Sequence, residues 1–196
     1  MLSEPLAVTL QVVRALEAIG VRYLIGGSLA SAVHGVARST IDADLVADLR
    51  PEHAAPLVRA LGDGFYADVE AIREAILQRR SFNVIHLQTM FKVDVFVQKN
   101  RPFDRSQFER RTQMALSDEP KCTAYVASPE DTILAKLEWY RMGKGVSDRQ
   151  WRDVLGVVKE QGQRLDLAYL RQWAVGLEVA DLLEKAFAEA LSEKNE

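Results

Sequence analysis

Two aspartates, Asp42 and Asp44, stand two apart in Ile41–Leu49. On an extended strand, residues two apart leave the same face. Ala43, Leu45, Ala47 and Leu49 then form the opposite, apolar face. A third aspartate, Asp94, interrupts the alternating apolar run Phe91–Val97, in which Val93, Val95 and Val97 point one way. If these strands are neighbours, three carboxylates converge. Crowded carboxylates repel and raise one another's pKa, and a hard divalent cation relieves that. Mg²⁺ takes oxygen ligands and bridges carboxylates to phosphates. Two such ions ~4 Å apart clamp the oxygens of phosphoryl and nucleotidyl transfer. Taken alone, the Asp-x-Asp pair also fits solvated strand acids. An EF-hand loop does not fit, because Leu45-Val46-Ala47 supplies neither oxygen ligands nor a glycine.

The second chemical feature is Gly26-Gly27-Ser28, between the short apolar segment Val21–Ile25 and a helical stripe of Leu29, Ala32, Val33 and Val36. Glycines let the backbone approach a ligand closely, and the following helix start offers free N–H groups to a phosphate. The segment is neither a P-loop nor a dinucleotide fingerprint, and a plain strand-to-helix turn is its ordinary alternative. Residues 29–41 leave room for one short helix and a return strand, which would bring this turn beside the carboxylates.

The elements that must position these groups alternate. Ser3 and Pro5 start a helix whose stripe is Leu6, Leu10, Val13 and Leu16, and Gly20 ends it. Ser28 is expected to cap the second helix. After the Asp42 strand, helices are predicted over Glu52–Leu61 and Val69–Arg79. Paired strands are predicted over Ser81–Leu87 and Phe91–Gln98, then a short helix and a strand through Gln113–Leu116, and a last strand over Cys122–Ala127. From Ser128 the pattern is helical only. Ser128-Pro129-Glu130-Asp131 is a cap, a first-turn proline and two acids at the positive end of the dipole. Gly143 and Gly145 end that helix, and Ser147 with Gln150 reads as a capping box for the next. The expected fold class is α/β (α+β), with domains 1–127, a mixed sheet with helices, and 128–196, a helical bundle.

The run from Gly26-Gly27-Ser28 through Asp42-Ala43-Asp44, together with Asp94 in Lys92-Val93-Asp94-Val95-Phe96, resembles the nucleotidyltransferase fold of the DNA polymerase β superfamily. It looks like the small prokaryotic branch that includes AbiEii-type toxins and antibiotic nucleotidyltransferases. The resemblance covers Val21–Val97 well and the helical tail loosely. Ala43 is smaller than the bulky residue usual between the two acids. The resemblance implies a nucleotidyltransferase-type mixed sheet flanked by helices. It implies that Asp42 and Asp44 hold two Mg²⁺ ions, with Mn²⁺ as a substitute, and that Asp94 ligates one and helps deprotonate the acceptor hydroxyl. Gly26, Gly27 and Ser28 would hold the triphosphate, and Arg38 would lie near the phosphates or the acceptor. The plain alternative for Arg38 is a surface arginine paired with an acid such as Asp48.

In the tail, Ile133, Leu134, Leu137 and Tyr140 form a buried stripe that Lys136 flanks. By resemblance to AbiEii-like relatives, Lys136 serves the nucleotide site, and Ser147, Arg149 and Asp153 lie near it. Their ordinary alternatives are a solvated lysine and a helix-surface pair worth only ~0.3–0.5 kcal/mol. His34 is expected to be a packed histidine, with a nucleotide contact as the alternative, and Trp151 a core residue, with a base-stacking platform as the alternative.

Composition bounds the rest. The 196 residues carry 25 Lys+Arg and 28 Asp+Glu, a net charge of −3, which argues against coating duplex DNA. Six of those acids fall in Glu178–Glu196, so the remaining body is nearly neutral. Lys99–Lys121 leans weakly basic, toward a polyanionic acceptor. One cysteine, Cys122, excludes an internal disulfide and suits a cytoplasmic chain. No secretory or membrane-spanning pattern is read in the sequence. The expectation is an enzyme that moves a nucleoside monophosphate from an NTP to a hydroxyl on tRNA or another RNA end, a small molecule or a protein. The rivals are a non-catalytic nucleotide sensor or interaction module on the same fold, and an AbiEii-like toxin that modifies tRNA and has an antitoxin partner.

Overall fold

The computed structural model of the chain describes residues 3–35, 40, 42–117 and 122–192. In chain order the elements are α1 (Glu4–Ala18), β1 (Tyr23–Ile25), α2 (Gly27–His34), β2 (Asp42–Ala47), α3 (Ala54–Leu61), β3 (Phe65–Tyr66), α4 (Val69–Leu77), β4 (Ser81–His86), β5 (Lys92–Val97), α5 (Pro102–Arg110), β6 (Thr112–Ala115), β7 (Thr123–Val126), α6 (Pro129–Met142), α7 (Asp148–Gln161), α8 (Leu167–Gly176) and α9 (Ala180–Ser192). Short 3-10 turns precede α3 and follow α3 and α7. The fold is mixed α/β, a seven-stranded mixed sheet flanked by helices. Among the described residues no helix is long and apolar enough to cross a membrane.

The chain divides into two compact units. One comprises Met1–Gly26 and Ser39–Val126, the other Gly27–Arg38 and Ala127–Glu196. The first unit holds the whole sheet, in the order β3-β4-β5-β2-β1-β7-β6. β2 with β5 and β1 with β7 are parallel, and the other pairs are antiparallel. Alternation decides which face is covered. Ala43, Leu45 and Ala47 of β2 and Val93, Val95 and Val97 of β5 are buried, while Asp42, Asp44, Lys92 and Asp94 are half-buried. Helix α1 packs on β2 and α3 through Val8, Val12, Val13 and Leu16. It stops where Gly20 takes a left-handed conformation (φ +70°), with Gly20 N–H bonded to Glu17 O and Val21 N–H to Leu16 O.

The second unit is helical. The Ser128 hydroxyl accepts from the Asp131 N–H at 3.1 Å, which starts α6 where the sequence predicts. Ile133, Leu134 and Leu137 of α6 pack with Val154 and Val157 of α7, Leu170 of α8 and Leu183 of α9 in a fully buried core. Helix α2 belongs to this unit and lies on α6 and α7. Just past its end the backbones nearly touch: a Cβ on Gly35 would stand 2.9 Å from Gly156 C and Val157 N. Buried His34 donates from Nε2 to the Ala127 carbonyl at 2.6 Å, so it is a packed histidine. Trp151 is buried in the same core.

Three local expectations change. The second helix opens at Gly27 rather than after a Ser28 cap, because Gly27 adopts φ +54° and tightens the turn by one residue. Helix α4 closes at Leu77, with Arg79 in the left-handed region. Strand β3 has only two residues and no alternation to reveal it; its pairing with Ile85 and His86 makes it a strand.

Candidate active site

The parallel register of β2 and β5 places Asp42 opposite Lys92 and Asp44 opposite Asp94. Partners in a parallel ladder stand about 4.8 Å apart and point to the same side. Asp42, Asp44 and Asp94 therefore share the half-buried face of two adjacent strands, each placed there by the apolar residue that follows it. The glycine turn meets this face through its first residue. The Gly26 N–H donates to the Asp44 carbonyl at 2.9 Å, extending the β1–β2 ladder by one bond. From Gly26 the chain runs directly into Gly27 and Ser28 at the start of α2. Within that helix the Ser31 hydroxyl donates to the Gly27 carbonyl at 2.9 Å.

Three residues that the sequence reading did not single out stand beside the carboxylates. The hydroxyl of buried Thr40 lies 2.8 Å from the Asp42 carbonyl and 3.2 Å from its Oδ1, so it steadies the entry to β2. Asn83 of β4 stands opposite Asp94 on its other flank. The Lys92 ammonium bonds Asp94 Oδ2 at 2.8 Å. That hydrogen bond first, then the fields of Asp94, Asp42 and Asp44, hold the lysine's pKa above its ordinary value, against the opposing cost of burial. Lys92 is two residues before Asp94 and so shares its face, but only the β2–β5 register sets it opposite Asp42.

The donor set fits a hard divalent cation, because it consists of carboxylate oxygens on one face of neighbouring strands. As the side chains stand, no group of three or more His, Cys, Asp or Glu is gathered tightly enough to hold a metal among the described residues. The ammonium of Lys92 lies against Asp94 instead.

The tail candidates sit in the second unit. Lys136 donates to Asp153 Oδ2 at 2.8 Å, and the two side chains are only 9% and 7% exposed. This is a buried ion pair between α6 and α7, a partnership the sequence reading did not draw although it named both residues. Ser147 accepts from the Gln150 N–H and caps α7, while Arg149 is exposed on its first turn. Arg38 lies outside the described residues.

No protein-family model and no curated protein matches the sequence. Solved structures do match. The antibiotic-resistance factor ANT(2'')-Ia in solution aligns over 97% of this chain and 96% of its own, at 15% identity and TM-score 0.51. A crystal structure of ANT(2'')-Ia in complex with adenylyl-2''-tobramycin aligns over 87% and 96%, at 11% identity and TM-score 0.55. An antigenic nucleotidyltransferase-like protein from Paracoccidioides brasiliensis aligns over 91% and 92%, at 19% identity and TM-score 0.53. The chain has the nucleotidyltransferase fold. At these identities the likeness is one of fold. The nucleotidyltransferase fold here comprises the sheet that carries Asp42, Asp44 and Asp94 and the helical tail that carries Lys136 and Asp153, since the alignments run nearly the full length of both chains.

Proposed function

We propose that this chain is a nucleotidyltransferase, moving a nucleoside monophosphate from an NTP to an acceptor hydroxyl and releasing pyrophosphate. One observation carries the reading: Asp44 faces Asp94 across the parallel β2–β5 pair, with Asp42 on the same face and Gly26 hydrogen-bonded to the Asp44 backbone. Asp42 and Asp44 would hold two Mg²⁺ ions, or Mn²⁺, with Asp94 a further ligand to one. Bound there, the metal supplies charge neutralisation on the triphosphate and a lowered pKa for the attacking hydroxyl.

The chain's own groups do the rest. Gly26, Gly27 and Ser28 receive the triphosphate at the start of α2, where the positive end of the helix dipole favours anions. Thr40 keeps Asp42 in place. Asp94 takes the proton from the acceptor hydroxyl as its oxygen attacks the α-phosphorus. The bond from that phosphorus to the bridging oxygen breaks, and pyrophosphate leaves with the electron pair. Lys136, neutralised by Asp153 in a buried pair, serves the nucleotide side of the reaction. Ser147, Arg149 and Arg38 are secondary contacts to nucleotide or acceptor.

The acceptor to test first is a hydroxylated small molecule. ANT(2'')-Ia, with its adenylyl-2''-tobramycin complex, matches this chain over almost its whole length, and that supports the choice. A tRNA or other RNA end, as for an AbiEii-like toxin with an antitoxin, is the second acceptor class. A sensor that binds nucleotide without turnover is the non-catalytic rival. Incubating the protein with Mg²⁺ and each α-labelled NTP, against an aminoglycoside panel and total RNA, separates these readings by what becomes labelled.

A further inference from the structure

Three carboxylates on one strand face would repel one another, and the protein sets a cation of its own on that face. Lys92 stands opposite Asp42 in the β2–β5 register and two residues before Asp94 on the same strand face. Its ammonium lies 2.8 Å from Asp94 Oδ2. It also feels the fields of Asp42 and Asp44, so all three acids act on this one positive group. Its side chain is 43% exposed, against 20% for Asp94. The lysine stem can therefore swing toward water without opening the core, while the carboxylate stays on the sheet. Lys92 occupies one of the two Asp94 oxygens open to a divalent ion.

We infer that Lys92 is a resident counter-cation that steadies the carboxylate face in the metal-free protein and must release Asp94 before a divalent ion binds, and so sets the affinity of the site for free metal. The inference rests on the carboxylate reading given above. Lys92 is a positioning residue in this account: it acts through Asp94. Its release turns one positive charge away from Asp94 as two arrive, so metal without nucleotide binds weakly. With Lys92 in place, the net charge of the face is less negative before loading, and a polyanionic nucleotide meets less repulsion there.

The test measures free Mn²⁺ binding without nucleotide, by electron paramagnetic resonance of the unbound ion and by calorimetry. The full-length chain is compared with Lys92→Met, Lys92→Gln and Lys92→Arg. Removing the ammonium tightens Mn²⁺ binding by roughly three- to tenfold, the scale of a partly exposed charge pair next to a divalent ion. Lys92→Arg, which keeps the charge, shows no such gain. A merely structural lysine would move the affinity the other way, because its loss would disorder Asp94. Lys92→Gln keeps the test valid if Lys92→Met fails to fold, and thermal melting checks both. Mn²⁺ binding that Asp44→Asn abolishes, but that Lys92→Met and Lys92→Gln leave unchanged or weakened, overturns the role of Lys92 alone. Mn²⁺ binding that survives Asp44→Asn in every background overturns the carboxylate reading itself, and the Lys92 inference with it.

Discussion

At the scale of single residues, burial and charge decide what each candidate side chain can do. Lys136 and Asp153 are held 2.8 Å apart in the core of the second unit. Such a pair adds little net stability over an apolar one, but breaking it strands a buried charge. Lys136→Met should therefore cost about 3–5 kcal/mol of unfolding free energy. The double variant Lys136→Met with Asp153→Leu should recover much of the loss, read from urea midpoints. His34 gives a pH-dependent case. Burial lowers its pKa from the ordinary 6.5, more than its bond to Ala127 and the field of Glu130 raise it. The unfolded chain then binds a proton that the folded chain refuses. Stability contributed by neutral His34 is complete above the unfolded value and is lost as pH falls from 6.5 through the folded pKa. Wild type should lose more stability than His34→Gln between about pH 8 and about pH 5.5, measured by urea unfolding. The sequence made the three aspartates legible because their chemistry and period-two spacing are local. It did not make Lys92 and Thr40 stand out: a lone lysine and a lone threonine gain meaning only from the register and the hydrogen bonds around them.

At the scale of elements, alternation and capping carried most of the pattern. Strands β2 and β5 were readable because each half-buried residue is followed by a buried one over six positions. Helix α6 was readable from Ser128 and Pro129. Helix ends were less so. Glycines mark the left-handed positions after α1, α3 and α7, at Gly20, Gly62 and Gly162, but those at Arg79, Lys144 and Glu178 carry side chains that do not announce them. Glu178 closes α8 through bonds from its own N–H to Val175 O and from Val179 N–H to Ala174 O. These local bonds hold a side chain in that strained region. Glu178→Gly should relieve it and raise stability by roughly 0.5–1 kcal/mol, seen as a higher thermal midpoint.

At the scale of the whole molecule, the notable feature is that the compact units interleave along the chain. A change of character at Ser128 is visible in the sequence as the point where strands cease. The membership of α2 in the helical unit is not, because it depends on the close approach of Gly35 to Gly156 across a long stretch of chain. A fragment ending at Val126 would keep every strand but leave α2 without α6 and α7. It should unfold at a lower urea midpoint than the full chain and with a less cooperative transition. The body outside the acidic C-terminal stretch is close to neutral, and its distinctive charge is local: three acids and one lysine on one sheet face. Transfer of label from an α-labelled NTP tests that face most directly, in wild type and in Asp44→Asn, with Mg²⁺ and the acceptor panel. The account predicts that α-label joins an acceptor as pyrophosphate is released, and that Asp44→Asn lowers the rate by at least about a hundredfold. Label that transfers from the γ-position instead, or α-label transfer that Asp44→Asn leaves intact, would contradict it.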